Sequence, residues 1–146
     1  MAHKPWDPED IYSAGALKEY AHWILSVHYR QCTLGSYVIL SKREGVERIT
    51  QLTSDELLEL QNVMKEIESA LEQIDCFKPD RFNYEQLGNE LHHLHFHGFP
   101  RYKESRMFDG EKWIDETWGS TPKWKKEDLP DDFIIKIRDV IEPHLP

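Results

Sequence analysis

The most constraining feature of this chain is a run in which four of its eight histidines fall within six positions. Three of them, His93, His95 and His97, are spaced two residues apart and alternate with apolar residues or glycine. Successive side chains of a β-strand point to opposite faces, so Leu94 and Phe96 are expected to enter a core. The pattern therefore predicts a strand that presents three imidazoles side by side on its other face.

Periodic patterns elsewhere predict a single α+β domain. Apolar side chains spaced three and four residues apart over 57–74, from Leu57 through Met64 to Ile74, predict one long helix, and a similar stripe predicts a second helix from position 131. Alternating or β-rich segments predict three further strands, at 23–28, 37–40 and 81–85. The first two of these form a hairpin whose loop is too long for a two-residue turn.

Local signals mark the ends of the elements. Thr53 stands three residues before Glu56, which predicts a capping box at the start of the long helix, and Pro79 prevents its continuation. Asp7 and Pro8 suit the start of a short N-terminal helix. Residues 103–128 are charged and rich in tryptophan without a clear period, so an ordered but irregular excursion is expected there.

Composition limits the functional classes. A formal charge of −9 argues against a protein that coats nucleic acid, although it leaves room for a local basic pocket that binds a phosphorylated ligand. The two cysteines, Cys32 and Cys76, match no metal or disulfide spacing, which indicates a reducing cytoplasm. No cleavable leader and no membrane span is expected, and the absence of repeats favours one domain over residues 1–146.

The histidine row allows three interpretations. The histidines could be ordinary strand residues, although three at strict two-residue spacing make that a poor explanation. They could bind zinc or copper, with Glu44, Glu85 or Glu90 recruited as a further ligand. Alternatively one imidazole attacks phosphorus and forms a transient phosphoramidate, while its neighbours set its tautomer and stabilise charge on the phosphate oxygens. The third interpretation best explains why three rings share one face.

The sequence of this region resembles the histidine triad (HIT) superfamily. The string HLHFHGFPRY at 93–102 is similar to the family's signature of histidines alternating with apolar residues. Upstream, NYEQLGN at 83–89 is similar to the lead-in found in microbial members, and 38–57 is similar to the hairpin-to-helix passage. The resemblance covers about residues 15–105, which leaves 106–146 as a C-terminal extension.

The resemblance implies roles for individual residues. His95, the middle histidine of the signature, becomes the candidate nucleophile on the α-phosphate of a nucleotide. His97 would orient it, and His93 would contact phosphate or assist the leaving group. Asn83 and Asn89 match positions that bind the phosphate region, while Arg101, from the residues alone, could meet more distal phosphates.

The resemblance also implies a fold, an activity and an assembly. The fold would be an antiparallel half-barrel sheet of about five strands with one long and one or two shorter helices, assembled as a homodimer. The activity would be hydrolysis or transfer of a nucleoside monophosphate group, from a dinucleoside polyphosphate or a nucleoside phosphoramidate. A histidine nucleophile needs no cofactor, although a divalent cation could accompany a polyphosphate. A non-catalytic nucleotide-binding protein or a metal-binding protein is the alternative.

The sequence departs from the family pattern in three places. Glu44 stands where many members carry a further histidine, and Gly98 replaces an apolar residue after the third histidine of the triad. Glu90 and Leu91 occupy the place of a small hydroxyl residue near the leaving group. Other candidates are expected to have lesser roles. Lys103 and Arg106 are expected to contact phosphate or to be solvated charges, and His92 is expected to be structural. Three tryptophans are expected mainly to pack against other residues, namely Trp113, Trp118 and Trp124.

Overall fold

The computed structural model describes residues 12–146, and the helix expected at Asp7 lies outside that range. Within these described residues there are seven strands and two α-helices. The strands are β1 (Ala16–Glu19), β2 (Trp23–Val27), β3 (Tyr37–Ser41), β4 (Arg81–Glu85), β5 (His95–Arg101), β6 (Arg106–Phe108) and β7 (Glu111–Trp113). The helices are α1 (Ser54–Glu72) and α2 (Asp131–Ile141), and short 3-10 turns occupy Ser13–Gly15, Ile49–Gln51 and Glu142–His144.

Five strands form one antiparallel sheet in the order β1-β2-β3-β5-β4. This arrangement confirms the predicted α+β class and the five-stranded antiparallel sheet. The hairpin of β2 and β3 was predicted correctly, including its long loop, whereas β1 was not predicted from its residues. β1 is a short edge strand of four residues with a register shift between Ala16 and Lys18, so it shows too little alternation to be recognised.

The hydrophobic core lies between one face of this sheet and the two helices. Trp23, Leu25, Tyr37, Ile39 and Phe96 point from the sheet into this core. The helices contribute buried side chains from one stripe each, namely Leu60, Val63, Ile67, Ala70 and Leu71 of α1 and Ile134, Ile137 and Ile141 of α2. The opposite face of the sheet is left to carry the remaining side chains of β3 and β5.

The capping box at Thr53 is confirmed, but the helix stripe differs in detail from the prediction. Leu57 is 44% exposed, and Glu56 is instead buried at 3% exposure. The Glu56 carboxylate accepts hydrogen bonds from the backbone N–H of Thr53 and from the guanidinium of Arg43, so the polar first turn faces inward. These bonds lower the pKa of Glu56 to about 2, Arg43 being the largest cause.

A hairpin occupies part of the segment that was expected to be irregular. β6 and β7 pair through a two-residue turn at Asp109 and Gly110, whose φ values of 52° and 76° are both positive. Asp-Gly is a strong signal for such a turn, since both residues tolerate a left-handed backbone. The expectation for 103–128 was therefore wrong at this hairpin, and the dipeptide was the signal that could have found it.

The structure describes no helix in residues 12–146 that is long and apolar enough to cross a membrane.

Candidate active site

A cavity of about 330 Å³ opens on the sheet face opposite the core. β5 places His95 and His97 on this face beside Leu40 and Val38 of β3, their partners in the sheet register. The walls come from the N-terminal segment, the loop after β2, the loop before β5 and a stretch near residue 125. The cavity is large enough for part of a nucleotide, and its lining combines the aromatic rings of Tyr12, Tyr29 and Trp124 with charged and polar side chains.

His95 is held in one tautomer. Its Nδ1 lies 2.6 Å from the carbonyl oxygen of His93, and a carbonyl oxygen can only accept, so Nδ1 must carry the proton. The neutral ring then has its lone pair on Nε2. Burial lowers the pKa of His95, which is 5% exposed, and thereby favours that neutral form. A buried, neutral imidazole with a free Nε2 is suited to nucleophilic attack.

His93 does not share the strand with the other two histidines. β5 begins at His95, because the backbone of Leu94 bonds instead to the carbonyl of Val46 and the N–H of Ser41. The His93 ring bonds through Nε2 to the Ser41 carbonyl oxygen and is not among the side chains that line the cavity. The expectation that one strand carries all three histidines is therefore wrong for His93, which precedes β5 and whose backbone carbonyl orients His95; the role predicted for its ring stays a prediction.

His97 lies directly beside His95, with ring centroids 4.8 Å apart and planes at 86°. Its Nδ1 is buried without a hydrogen-bond partner among the described residues, which leaves Nε2 as the nitrogen that can meet a ligand. Burial, followed by the proximity of His28 and His95, lowers the pKa of His97 to about 3. His97 is therefore uncharged at neutral pH.

The site contains a histidine that the sequence did not identify as functional. His28 follows β2 and lines the cavity, with its ring centroid 5.2 Å from that of His97. Its Nδ1 accepts a hydrogen bond from the backbone N–H of Arg30, so the neutral ring carries its proton on Nε2. Burial, followed by the charge of Arg30, lowers the pKa of His28 to about 4. His28 is thus a neutral hydrogen-bond donor in the cavity.

Charged groups of both signs surround the opening. Arg30 is paired with Asp128 at 2.7 Å, and Lys125 lies over the ring of Trp113, so both cations already have partners. Lys126 and Glu90 also line the cavity, together with the predicted residue Asn89. The electrostatic field at the entrance is therefore not strongly positive. A phosphate group could still enter beside these cations.

Two predicted substrate-binding residues lie elsewhere. Arg101 is 1% exposed and donates to both oxygens of Asp115, to the Asn83 Oδ1 and to the carbonyls of Thr117 and Ser120. Six strand positions separate it from His95, which corresponds to about 20 Å. This corrects the expectation for Arg101 and Asn83, because their polar groups hold the 115–120 loop on the sheet and do not line the cavity.

The other sequence candidates also have structural partners. Arg106 donates to the backbone carbonyls of Phe77 and Lys78, and Lys103 lies over the Trp118 ring. Neither basic residue lines the cavity. Trp113 stacks on a helix residue, so of the three tryptophans only Trp124 lines the cavity. His92 is exposed and bonds to the Asn89 carbonyl oxygen, consistent with a structural part.

One departure from the family pattern, at Gly98, has a physical explanation. The ring of Tyr37 lies against Gly98, where a Cβ atom would come within 2.1 Å of it, so position 98 cannot carry a side chain without a shift of that ring. Glu44 does not line the cavity, and the neighbouring Arg43 is engaged with Glu56 and the Gln51 carbonyl. Glu90 and Leu91 both line the opening.

The metal interpretation finds no support in the arrangement of ligands. Across residues 12–146, no group of three or more His, Cys, Asp or Glu side chains is placed to hold a metal ion. The three cavity histidines instead present their rings to one another edge-on or tilted.

Comparison with known proteins places this site in a family. A family model described as the HIT domain matches residues 25–104, which include all three histidines of the triad. A comparison with curated protein sequences finds no match.

Solved structures share the fold. A histidine triad protein from Sinorhizobium meliloti is similar at 16% identity with a TM-score of 0.65, over 89% of this chain and 88% of that one. A hypothetical histidine triad nucleotide-binding protein from Sulfolobus tokodaii is 20% identical with a TM-score of 0.59, over 88% and 83%. A zinc-bound histidine triad family protein from Mycobacterium smegmatis is 15% identical with a TM-score of 0.61, over 90% and 85%.

These identities are low and establish the shared fold alone. The family model matches more than half of the 146 residues and spans the strand that carries His95 and His97. The chain therefore belongs to the histidine triad (HIT) family.

Proposed function

We propose that this protein hydrolyses a nucleotide conjugate at its α-phosphate, with Nε2 of His95 as the nucleophile. The observation that supports this most directly is the 2.6 Å hydrogen bond from His95 Nδ1 to the His93 carbonyl. It fixes the neutral tautomer, and the lowered pKa keeps the lone pair of Nε2 available at neutral pH. Membership of a family whose members bind nucleotides supports the substrate class.

The reaction proceeds in two displacements. In the first, His95 Nε2 forms a bond to the α-phosphorus, the bond to the leaving group breaks, and that group departs with the electron pair; an amine leaving group takes up a proton from solvent. In the second, water attacks the same phosphorus and releases a proton to solvent, the P–N bond breaks with its electron pair returning to Nε2, and the nucleoside monophosphate leaves with neutral His95 restored. Dividing one hard displacement into two easier ones is the advantage of a nucleophilic side chain.

Neighbouring donors would stabilise the negative charge that grows on the phosphate oxygens. His28 lines the cavity with its proton on Nε2, His97 would donate from Nε2 in the tautomer that carries its proton there, and Asn89 and Lys126 also line the cavity. Fixed donors in a site with little water act more strongly than the same groups in solution. Two aromatic side chains of the wall, Tyr12 and Tyr29, offer surfaces for a nucleobase.

The finer assignments are proposals of the same kind. The leaving group would be a second nucleotide through a polyphosphate or an amine through a phosphoramidate, and transfer to a second acceptor is the runner-up to hydrolysis. We propose that no metal takes part in the P–N bond formation, although a divalent cation could enter with a polyphosphate. The homodimer and the cytoplasmic location stay predictions.

Mass spectrometry after a brief acid quench tests the proposal. The purified chain is mixed with dinucleoside polyphosphates or nucleoside phosphoramidates, with and without a chelator, and we expect a covalent nucleoside monophosphate adduct. The adduct and the turnover should disappear in His95→Ala and persist in His92→Ala, a matched control in the same run that is exposed and outside the cavity.

The other outcomes identify the alternatives. Nucleotide binding without an adduct or turnover across the substrate panel would refute the enzyme proposal and favour a non-catalytic nucleotide-binding protein. Stoichiometric zinc in the purified protein, together with loss of turnover in the chelator, would favour metal chemistry instead.

A further inference from the structure

A segment outside the matched HIT domain completes the cavity. Residues 122–129, here called the strap, follow the β6–β7 hairpin and lie beyond residue 104, where the family match ends. Asp128 of the strap pairs with Arg30 at 2.7 Å, and the N–H of Leu129 bonds to the Tyr29 carbonyl. Both anchors join the strap to the loop after β2, which carries His28. The strap is therefore tied to the wall of the cavity.

Trp124 is the strap residue that contacts the triad. Its ring lies edge-on to His97 at 4.8 Å and 87°, and edge-on to Phe99 at 5.5 Å. Its Nε1 donates to Glu85 Oε2 at 3.1 Å, and Glu85 is the strand partner of His97 on β4. The indole is thus held at both ends, by a carboxylate on one side and by the ring of His97 on the other.

We propose that Trp124 is a positioning residue that fixes the ring of His97 and excludes water from it. The proposal rests on the proposed function, in which His97 serves the chemistry at His95. Although Trp124 is itself 38% exposed, His97 beneath it is only 8% exposed. Removing the indole would open that side of His97 to solvent and release its ring from one fixed orientation.

The surroundings of His97 explain why its cover matters. The groups that face it from the neighbouring elements are imidazoles, strap lysines and carboxylates, namely His95, His28, Lys125, Lys126, Glu85 and Glu90. The Glu85 carboxylate is engaged by the Trp124 N–H. Burial is the main reason that the pKa of His97 is lowered to about 3, so solvent access is what would restore an ordinary value.

Titration of the ligand-free protein by NMR tests the proposal without reference to activity. In the wild type, the His97 ring signals should stay unchanged from about pH 8 to about pH 5, because the ring is already neutral throughout. In Trp124→Ala they should titrate inside this window. Trp124→Phe, which keeps an aromatic cover but lacks the N–H, should give an intermediate result and guards against misfolding of the alanine variant.

Kinetics separate positioning from a general loss of structure. We expect kcat to fall about tenfold in Trp124→Ala with a smaller change in KM, since a contact that orients a group in the transition state affects kcat first. Glu85→Ala should reproduce part of this loss and Glu85→Gln should restore it, because the amide oxygen still accepts from Nε1. Trp118→Phe is the matched control, being a tryptophan of the same extension under Lys103.

The outcomes keep the two proposals distinct. If His97 titrates in Trp124→Ala as expected but no variant has turnover, the positioning role stands and the hydrolase proposal fails. If the wild type is active, and Trp124→Ala leaves both the His97 titration and kcat unchanged, the positioning role is refuted. Equal loss in Trp118→Phe would also refute it, because the effect would then belong to the extension as a whole.

Discussion

Replacement of Gly98 by alanine tests the structural explanation for this unusual position in the active strand. A Cβ atom there would lie 2.1 Å from Cε2 and 2.3 Å from Cζ of the Tyr37 ring. Ordinary carbon contacts are about 3.5–4.0 Å, so the ring would have to move by more than 1 Å. Tyr37 is fully buried, and its hydroxyl bonds to Tyr84 at 2.6 Å, which in turn donates to Glu68 at 2.7 Å.

The cost follows from these contacts. Overpacking of a filled core costs about 1–3 kcal/mol. Breaking the bond from Tyr37 to Tyr84 adds about 1 kcal/mol. Alanine in place of glycine in a strand returns about 0.5–1 kcal/mol, because the unfolded chain loses less freedom. We therefore expect Gly98→Ala to lower the free energy of unfolding by about 1–3.5 kcal/mol, which corresponds to roughly 3–12 °C in Tm.

Urea unfolding measures the energetic coupling between Gly98 and Tyr37. The four variants are Gly98→Ala, Gly119→Ala, Tyr37→Leu and the double variant that combines Tyr37→Leu with Gly98→Ala. Gly119→Ala is the matched control, since nothing lies within 4 Å of a Cβ there, and it should change stability by less than about 0.5 kcal/mol. In a Tyr37→Leu background the cost of Gly98→Ala should fall close to zero, because the clashing ring is gone. If Gly98→Ala were as neutral as Gly119→Ala, or equally costly in both backgrounds, the steric explanation would be refuted.

Two further perturbations test the buried charges and histidines. The pKa values of His28 and His97 are lowered to about 4 and about 3, so below the ordinary value of about 6.5 the unfolded state binds protons that the folded state does not. The free energy of unfolding should therefore fall by about 2 kcal/mol per histidine as the pH falls from about 7 to about 5. Urea unfolding at each pH measures this dependence. His28→Gln should remove about half of the slope of the unfolding free energy against pH. Arg101→Lys should lower the free energy of unfolding by about 3 kcal/mol or more, because it disrupts the buried pair with Asp115. It should leave kcat of the folded protein within about twofold, because the guanidinium lies far from His95. A large loss of kcat at unchanged stability would instead show that Arg101 belongs to the substrate site.

Local patterns in the sequence were sufficient for most of the fold. The alternation around His95, the apolar stripes of the two helices and the capping box at Thr53 each depend on residues within a few positions of one another. The resemblance to the family supplied the strand count. The prediction failed at β1, where the local signals were weak. It also failed at the β6–β7 hairpin, where the turn signal at Asp109 was overlooked.

The cavity itself depends on contacts that no local pattern encodes. His28 lies near the triad because β5 pairs with β3, whose other neighbour is β2, and the pairing of β3 with β5 is a long-range one. Trp124 is 27 positions beyond His97, and nothing near it in the sequence shows that its segment returns to the sheet. Residues of this kind become visible only when strand order and the path of the strap are known.

Some residues that are close to the histidines in the sequence lie outside the cavity. The side chains of Arg101 and Asn83 share the sheet face of His95, as alternation requires. A strand advances about 3.3 Å per residue, so Arg101 lies about 20 Å along the strand from His95, and the Asn83 Oδ1 accepts a hydrogen bond from Arg101. The same face thus serves two purposes along its length. One end holds His95, the proposed nucleophile, beside His97 and the strap, and the other end buries an ion pair that fixes residues 115–120, which lead into that strap. Position along the strand, and not only the face, decides which of its side chains can act on a ligand.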